Sequence, residues 1–133
     1  MSDPARWLAV GTIVGIVSVE YGGWALLTFI TGREGLTAAQ QRFFRDGHAH
    51  AGVLLVLSLL YFRYLDDTDF SNAGQWIAGL VLVLGVGCQS GGFFVHMAAG
   101  DKGAPSLGTR LTRTGALLIG AALLTLAVGL AVS

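Results

Sequence analysis

The stretch Phe44–Tyr61 reads FRDGHAHAGVLLVLSLLY. Two histidines stand two residues apart, directly before a long apolar run. That run, extended to Phe43–Tyr64, is long enough to cross a bilayer, which takes roughly 20 residues of helix. Three more segments share this character, near Trp7–Thr31, Ala73–Ala99 and Leu107–Val132. Once they are set aside, only short connections are left. The expected architecture is all-α: one domain over 1–133, a four-transmembrane-helix bundle embedded in lipid. The first segment is too long for the apolar part of a signal peptide. It has only Arg6 before it and carries Glu20 in its middle, so it reads as a retained span.

Composition supports this reading. The chain has 133 residues, 53% hydrophobic and only 12% charged, with a mean hydropathy of +0.67. A soluble domain of this size would need more charge to cover its surface. Eight basic residues balance eight acidic ones. No basic patch dense enough for nucleic acid is present. Cys88 is the lone cysteine, so an internal disulfide is excluded.

The connections carry their own signals. Thr37 followed by Gln40 is a capping-box pattern, so a helix should start there and run into the second segment. Pro105 and Ser106 suit the start of the fourth. Arg33, Arg42, Arg45, Lys102, Arg110 and Arg113 flank the first and third connections, whereas Arg6 and Arg63 lie on the other side. The positive-inside rule then puts those two connections in the cytoplasm of an inner-membrane protein, with both termini outside.

The strongly polar residues inside the spans gather in one half of the bilayer. His48 and His50 are one to two turns into the second segment, and His96 is about one turn from the end of the third. Arg110 and Arg113 open the fourth. Glu20 is deeper, roughly 16 Å from the end of the first segment, and Gln89 lies at a similar depth. On the third segment Gly85, Gln89, Gly92 and His96 form one stripe at spacings of four, three and four. Such a stripe suits close helix packing, or a flat object approaching the backbone. His48 and His50 are about 200° apart on their helix and cannot share a face. His50, the deeper, is the favoured partner for the stripe, with His48 nearer the headgroups. On the first segment Gly11, Gly15, Ser18 and Gly22 form a small-residue stripe, with Glu20 opposite. A carboxylate facing lipid costs several kcal/mol. Both faces of that helix therefore call for protein, which suggests a homo-oligomer.

Two neutral imidazoles on facing helices suit haem iron, and arginines at the interface suit its propionates. This reading makes His50 and His96 the metal ligands, with His48, Arg110 and Arg113 completing the cofactor site and Arg42 and Arg45 as further cations. Glu20 and Gln89 are the polar candidates for chemistry. The rival is a bare transition metal held by three histidines and Glu20. Each residue also has a plainer role. The histidines can bond to headgroups or water, Glu20 to a backbone carbonyl, and Gln89 to a neighbouring helix; the arginines can be purely topological. No CxxC, CxxCH or HExxH pattern occurs.

The entry RDGHAHAGVLLVL and the stretch GVGCQSGGFFVHM give the chain a resemblance. In layout it resembles the small four-helix membrane haem proteins of the styrene oxide isomerase and hydroxylaminobenzene mutase group. The resemblance covers most of the chain as topology and few residues as motif. It implies haem b near a subunit interface, a second-helix histidine as axial ligand, and an oligomer, a trimer in that group. By its place in HAG, the ligand would be His50. The group carries an Asn on helix two, and an Asp and a Tyr on helix three that serve isomerisation. Here helix two has Ser58 among aliphatics, and Gly85–Phe94 holds Gln89 but neither Asp nor Tyr. Haem binding carries over more readily than isomerisation. The leading expectation is therefore redox or Lewis-acid chemistry on a small apolar substrate. The rivals are a non-catalytic membrane subunit and a small proton- or metal-coupled transport component built around Glu20.

Overall fold

The computed structural model describes residues 1–31, 35–99 and 103–133. Among the described residues the chain forms α1 (Asp3–Thr31), α2 (Ala38–Leu65), α3 (Asn72–Ala99) and α4 (Leu107–Val132), with no strand. All four are long and apolar enough to cross a membrane. The expected all-helical four-helix architecture is the one observed, and the chain is a multi-pass membrane protein. Arg33 and Lys102, which count toward orientation, lie outside the described residues.

Local signals set the helix starts. Thr37 Oγ1 accepts the Gln40 N–H at 3.2 Å, and Gln40 Oε1 accepts the Thr37 N–H at 3.0 Å. This reciprocal cap satisfies two donors that the first turn cannot. It starts α2 at Ala38, ahead of the apolar run. Ser106 caps α4 in the same way with Thr109.

The dense core occupies the half of the bundle nearer the two termini. Tyr61, Phe62 and Leu65 of α2 meet Ala78 and Leu82 of α3 there. Ile119, Ala122 and Leu126 of α4 close it. Leu8 of α1 reaches over Gly79, where a Cβ would collide with it. Tyr61 donates across the core to the Ala122 carbonyl at 3.1 Å. A buried pair of this kind contributes about 1 kcal/mol net and leaves no stranded hydroxyl.

α3 and α4 pack backbone to backbone. Gly85 and Gly92 on α3 are seven residues apart, as are Gly108 and Gly115 on α4. A methyl at Gly115 would sit 2.6 Å from the Gly85 carbonyl oxygen, and one at Gly92 would sit 2.6 Å from that of Gly108. Only hydrogen fits at those points, so the helices approach to backbone contact. Thr112 Oγ1 adds a bond to the Gln89 carbonyl at 3.3 Å. The stripe Gly85–Gln89–Gly92–His96 therefore faces α4. The flat slot for a macrocycle that its spacing allowed is already filled by the neighbouring helix.

α1 is peripheral. It packs on α2 and α3 and, among the described residues, makes no packed interface with α4. Two members of its small-residue stripe face α2: a Cβ at Gly15 would touch Leu55 at 3.5 Å, and one at Gly22 would lie 3.3 Å from His48 Nδ1. Gly11 and Ser18 of the same stripe are exposed. The outer face exposes Ile13, Val14, Val17, Tyr21 and Trp24, and Glu20 is exposed among them.

Candidate functional site: the histidine face of α2 and α3

The half of the bundle away from the dense core holds all three histidines, and the helices send them in different directions. His48 turns toward α1. A Cβ at Gly23 would sit 3.3 Å from its Cε1 and Nε2, so the Gly22–Gly23 pair makes room for the ring. His50 turns toward α3 and lies over Phe93, with ring centroids 4.8 Å apart and planes tilted by 35°. It is exposed on the outside of the bundle. Its Nδ1 is 2.8 Å from the carbonyl oxygen of Asp46, one turn back on α2. A carbonyl can only accept, so Nδ1 carries the proton and donates it. In the neutral ring Nε2 is then left with a free lone pair.

His96 meets Phe43 edge-on at 4.5 Å, and its Nδ1 is 2.6 Å from Ser106 Oγ. That hydroxyl already accepts the Thr109 N–H. It can donate its proton to His96 Nδ1, or turn it toward Thr109 Oγ1 at 3.5 Å and accept from the ring.

Phe43 and His50 lie on one stripe of α2, seven residues or about 10 Å apart along the axis. His96 pairs with the first and Phe93 with the second, so His96 is the shallower imidazole. Among the described residues no three His, Cys, Asp or Glu side chains come close enough to hold a metal ion. The compact site of three histidines and Glu20 is not formed, because Glu20 and His48 go with α1 while His50 and His96 go with α3.

No family model, curated protein or solved structure matches this chain.

A cleft of about 390 Å³ lies beside His96, between the end of α3 and the start of α4. Phe43, Phe93, His96, Thr112 and Arg113 line it, so it meets His50 through Phe93. Arg110 is exposed one turn nearer the third connection. Met97 lines a smaller cleft on the other side of His96. Arg42 and Arg45 line a separate cleft next to Leu26 of α1. The arginines are therefore divided, and Arg113 is the one that shares a cleft wall with Phe93 and His96. Gln89 is partly buried on the α4-facing stripe, where its carbonyl accepts from Thr112. Cys88 is partly buried and unpaired as a thiol. Phe93 and the Asp46 carbonyl are the parts of this face that residue-type reasoning passed over. The i, i+4 spacing of Asp46 and His50 was the available signal.

Proposed function

We propose that this membrane protein binds b-type haem on the outer face of α2 and α3, with His50 as the single protein ligand to iron. The observation that carries the reading is the Nδ1–H bond from His50 to the Asp46 carbonyl. Ligating histidines characteristically donate their second ring nitrogen in this way, which orients the ring and raises its basicity. The exposed Nε2 is free to bind, and Phe93 offers an apolar surface beside it. Arg113 is the cation for a propionate, with Arg110 one turn further out. In this reading His96, tied through Nδ1 to Ser106, borders the cofactor without ligating it. Haem held by one histidine supplies an iron with an open coordination position, suited to Lewis-acid or redox chemistry on a small apolar substrate.

Such a site is open on its outer side within one chain. A second copy is needed to cover it, and a second copy would also shield Glu20 from lipid. The reading therefore requires a homo-oligomer. Protein purified in mild detergent from haem-supplemented cells should show a Soret band and a native mass of at least two chains. A colourless protein, or a coloured monomer, would refute it.

In this reading the first and third connections face the cytoplasm, because six of the eight basic residues flank them. Single cysteines placed at Gly35 and Asp69, in a Cys88→Ser background, test the orientation. Position 69 should react with an impermeant maleimide on intact cells, and position 35 only after lysis. The reverse pattern would invert the topology.

A further inference from the structure

A second cavity, distinct from the histidine face, opens between α1, α2 and α3. Its volume is about 500 Å³, within the range of small-molecule sites. It begins where the dense core ends, at Leu8 and Val86, and rises along Gly11, Gly15, Gly87 and Gly91. Leu55 and Val83 give it apolar walls. It faces the side of the bundle that would meet lipid, so its occupant enters from the bilayer.

One polar atom on its wall has no explanation in the fold. Ser90 is 6% exposed, lines the cavity, and its hydroxyl has no hydrogen-bond partner among the described residues. Serines and threonines in membrane helices ordinarily satisfy themselves by bonding back to their own helix. Several do so here. Ser18 donates to Gly15, Thr28 to Trp24, Ser58 to Leu54 and Thr125 to Ala121. Ser90 does not, and an unpaired buried hydroxyl costs about 1–3 kcal/mol. An arriving acceptor relieves that cost.

We infer that this cavity binds a bilayer-dissolved apolar molecule carrying one carbonyl oxygen, which accepts the Ser90 O–H. Depth argues for such a guest over a lipid. Ser90 is nine residues from the end of α3 at Ala99, or about 14 Å along the axis. A lipid's ester carbonyls stay near the interface, whereas a free apolar ketone can carry its oxygen to mid-membrane. The wall also leaves room. A Cβ at Gly87 or Gly91 would meet nothing within 4 Å, so these glycines widen the cavity without serving helix contact. The inference is independent of haem.

Benzophenone is a suitable probe, because its carbonyl also crosslinks to neighbouring C–H bonds under near-ultraviolet light. The full chain in detergent micelles would be irradiated with subsaturating benzophenone and the labelled peptides mapped by mass spectrometry. Labelling should fall on the cavity segments of α1 and α3. Diphenylmethane, the same shape without the oxygen, should compete about tenfold more weakly than unlabelled benzophenone, the weight of one hydrogen bond to a buried hydroxyl. Ser90→Ala should lower labelling about tenfold and erase that difference. Gly87→Leu and Gly91→Leu, which have space for the new side chain, should abolish it while the protein still elutes as a single species. Labelling that is scattered, or unchanged in Ser90→Ala, would overturn the proposal. So would a Gly87→Leu protein that keeps its label. A Gly87→Leu protein that loses its oligomeric state would instead mean that a second chain fills the cavity, and would equally overturn it.

Discussion

Replacing Gly115 with alanine is expected to lower the apparent unfolding midpoint by about 10 °C. The new Cβ would sit 2.6 Å from the Gly85 carbonyl oxygen and 2.7 Å from the Gln89 Cα. Both are backbone atoms, so no rotamer change gives relief. The helices must move apart. In doing so they weaken the Thr112 bond to Gln89 and disturb the Ser106 contact with His96. Overpacking typically costs 1–3 kcal/mol, and a backbone obstruction belongs at about the upper limit. For a chain of this size 1 kcal/mol corresponds to about 3 °C. Gly120 is the control. It lies on the same helix, and a Cβ there meets nothing within 4 Å. Gly120→Ala should be neutral or slightly stabilising through helix propensity. Circular dichroism melts in one detergent, at one scan rate, compare the two. Equal midpoints would show that α3 and α4 are not held in backbone contact.

The same glycines show what spacing conveys and what it withholds. A four–three–four pattern on α3 places Gly85, Gln89, Gly92 and His96 on one face, and it does so in the fold. It does not say what that face meets. The complementary signal was on α4, where Gly108 and Gly115 repeat the seven-residue spacing of Gly85 and Gly92. Two such pairs on antiparallel neighbours interdigitate, and that excludes a cofactor from between them. Apolar length and capping made the four helices legible, because membrane helices satisfy their backbone internally whatever surrounds them. The histidine directions were legible too, since 200° of separation is a property of one helix alone. Which imidazole nitrogen holds the proton was not. For His50 that depends on the Asp46 carbonyl, whose position requires the folded chain. Ser90 was hidden for a related reason. A serine in a helix is expected to bond to its own backbone, and only the fold reveals one that does not.

The half-bundle division bears on function. Burial of Tyr61, Phe62, Leu65 and Leu82 anchors the terminal half. The histidine face and the Ser90 cavity both lie beyond that core. Substitutions there can change ligand occupancy with little effect on folding, which makes the histidines separable by experiment.

If haem binds as proposed, His50→Ala should abolish the Soret band, whereas His48→Ala and His96→Ala should retain it. His48 is packed against Gly22 and Gly23 of α1, on the side of α2 away from Phe93. Its loss leaves a small void near the α1 contact and touches nothing on the His50–Phe93 face. His96 is shallower than His50 and tied through Nδ1 to Ser106. Its loss should shift the band position or the haem retention without removing the ligand. His50 alone combines exposure, an aromatic neighbour and a ring orientation fixed by Nδ1–H donation. The variants separate by ligand chemistry as well as by loss. Free imidazole added to His50→Ala should restore a Soret band, because the ring it replaces was held only through the Asp46 carbonyl and the Phe93 face, and both persist in the variant. Arg113→Leu should leave the band position unchanged and speed haem loss, since a propionate partner sets retention and not the iron's ligand field. A bis-histidine spectrum in the wild type that becomes five-coordinate in His96→Ala would bring His96 back as a second ligand. A band lost in His48→Ala and kept in His50→Ala would place haem on the α1 side of α2. There the cations would be Arg42 and Arg45, and the outer face of α3 would have to be explained some other way.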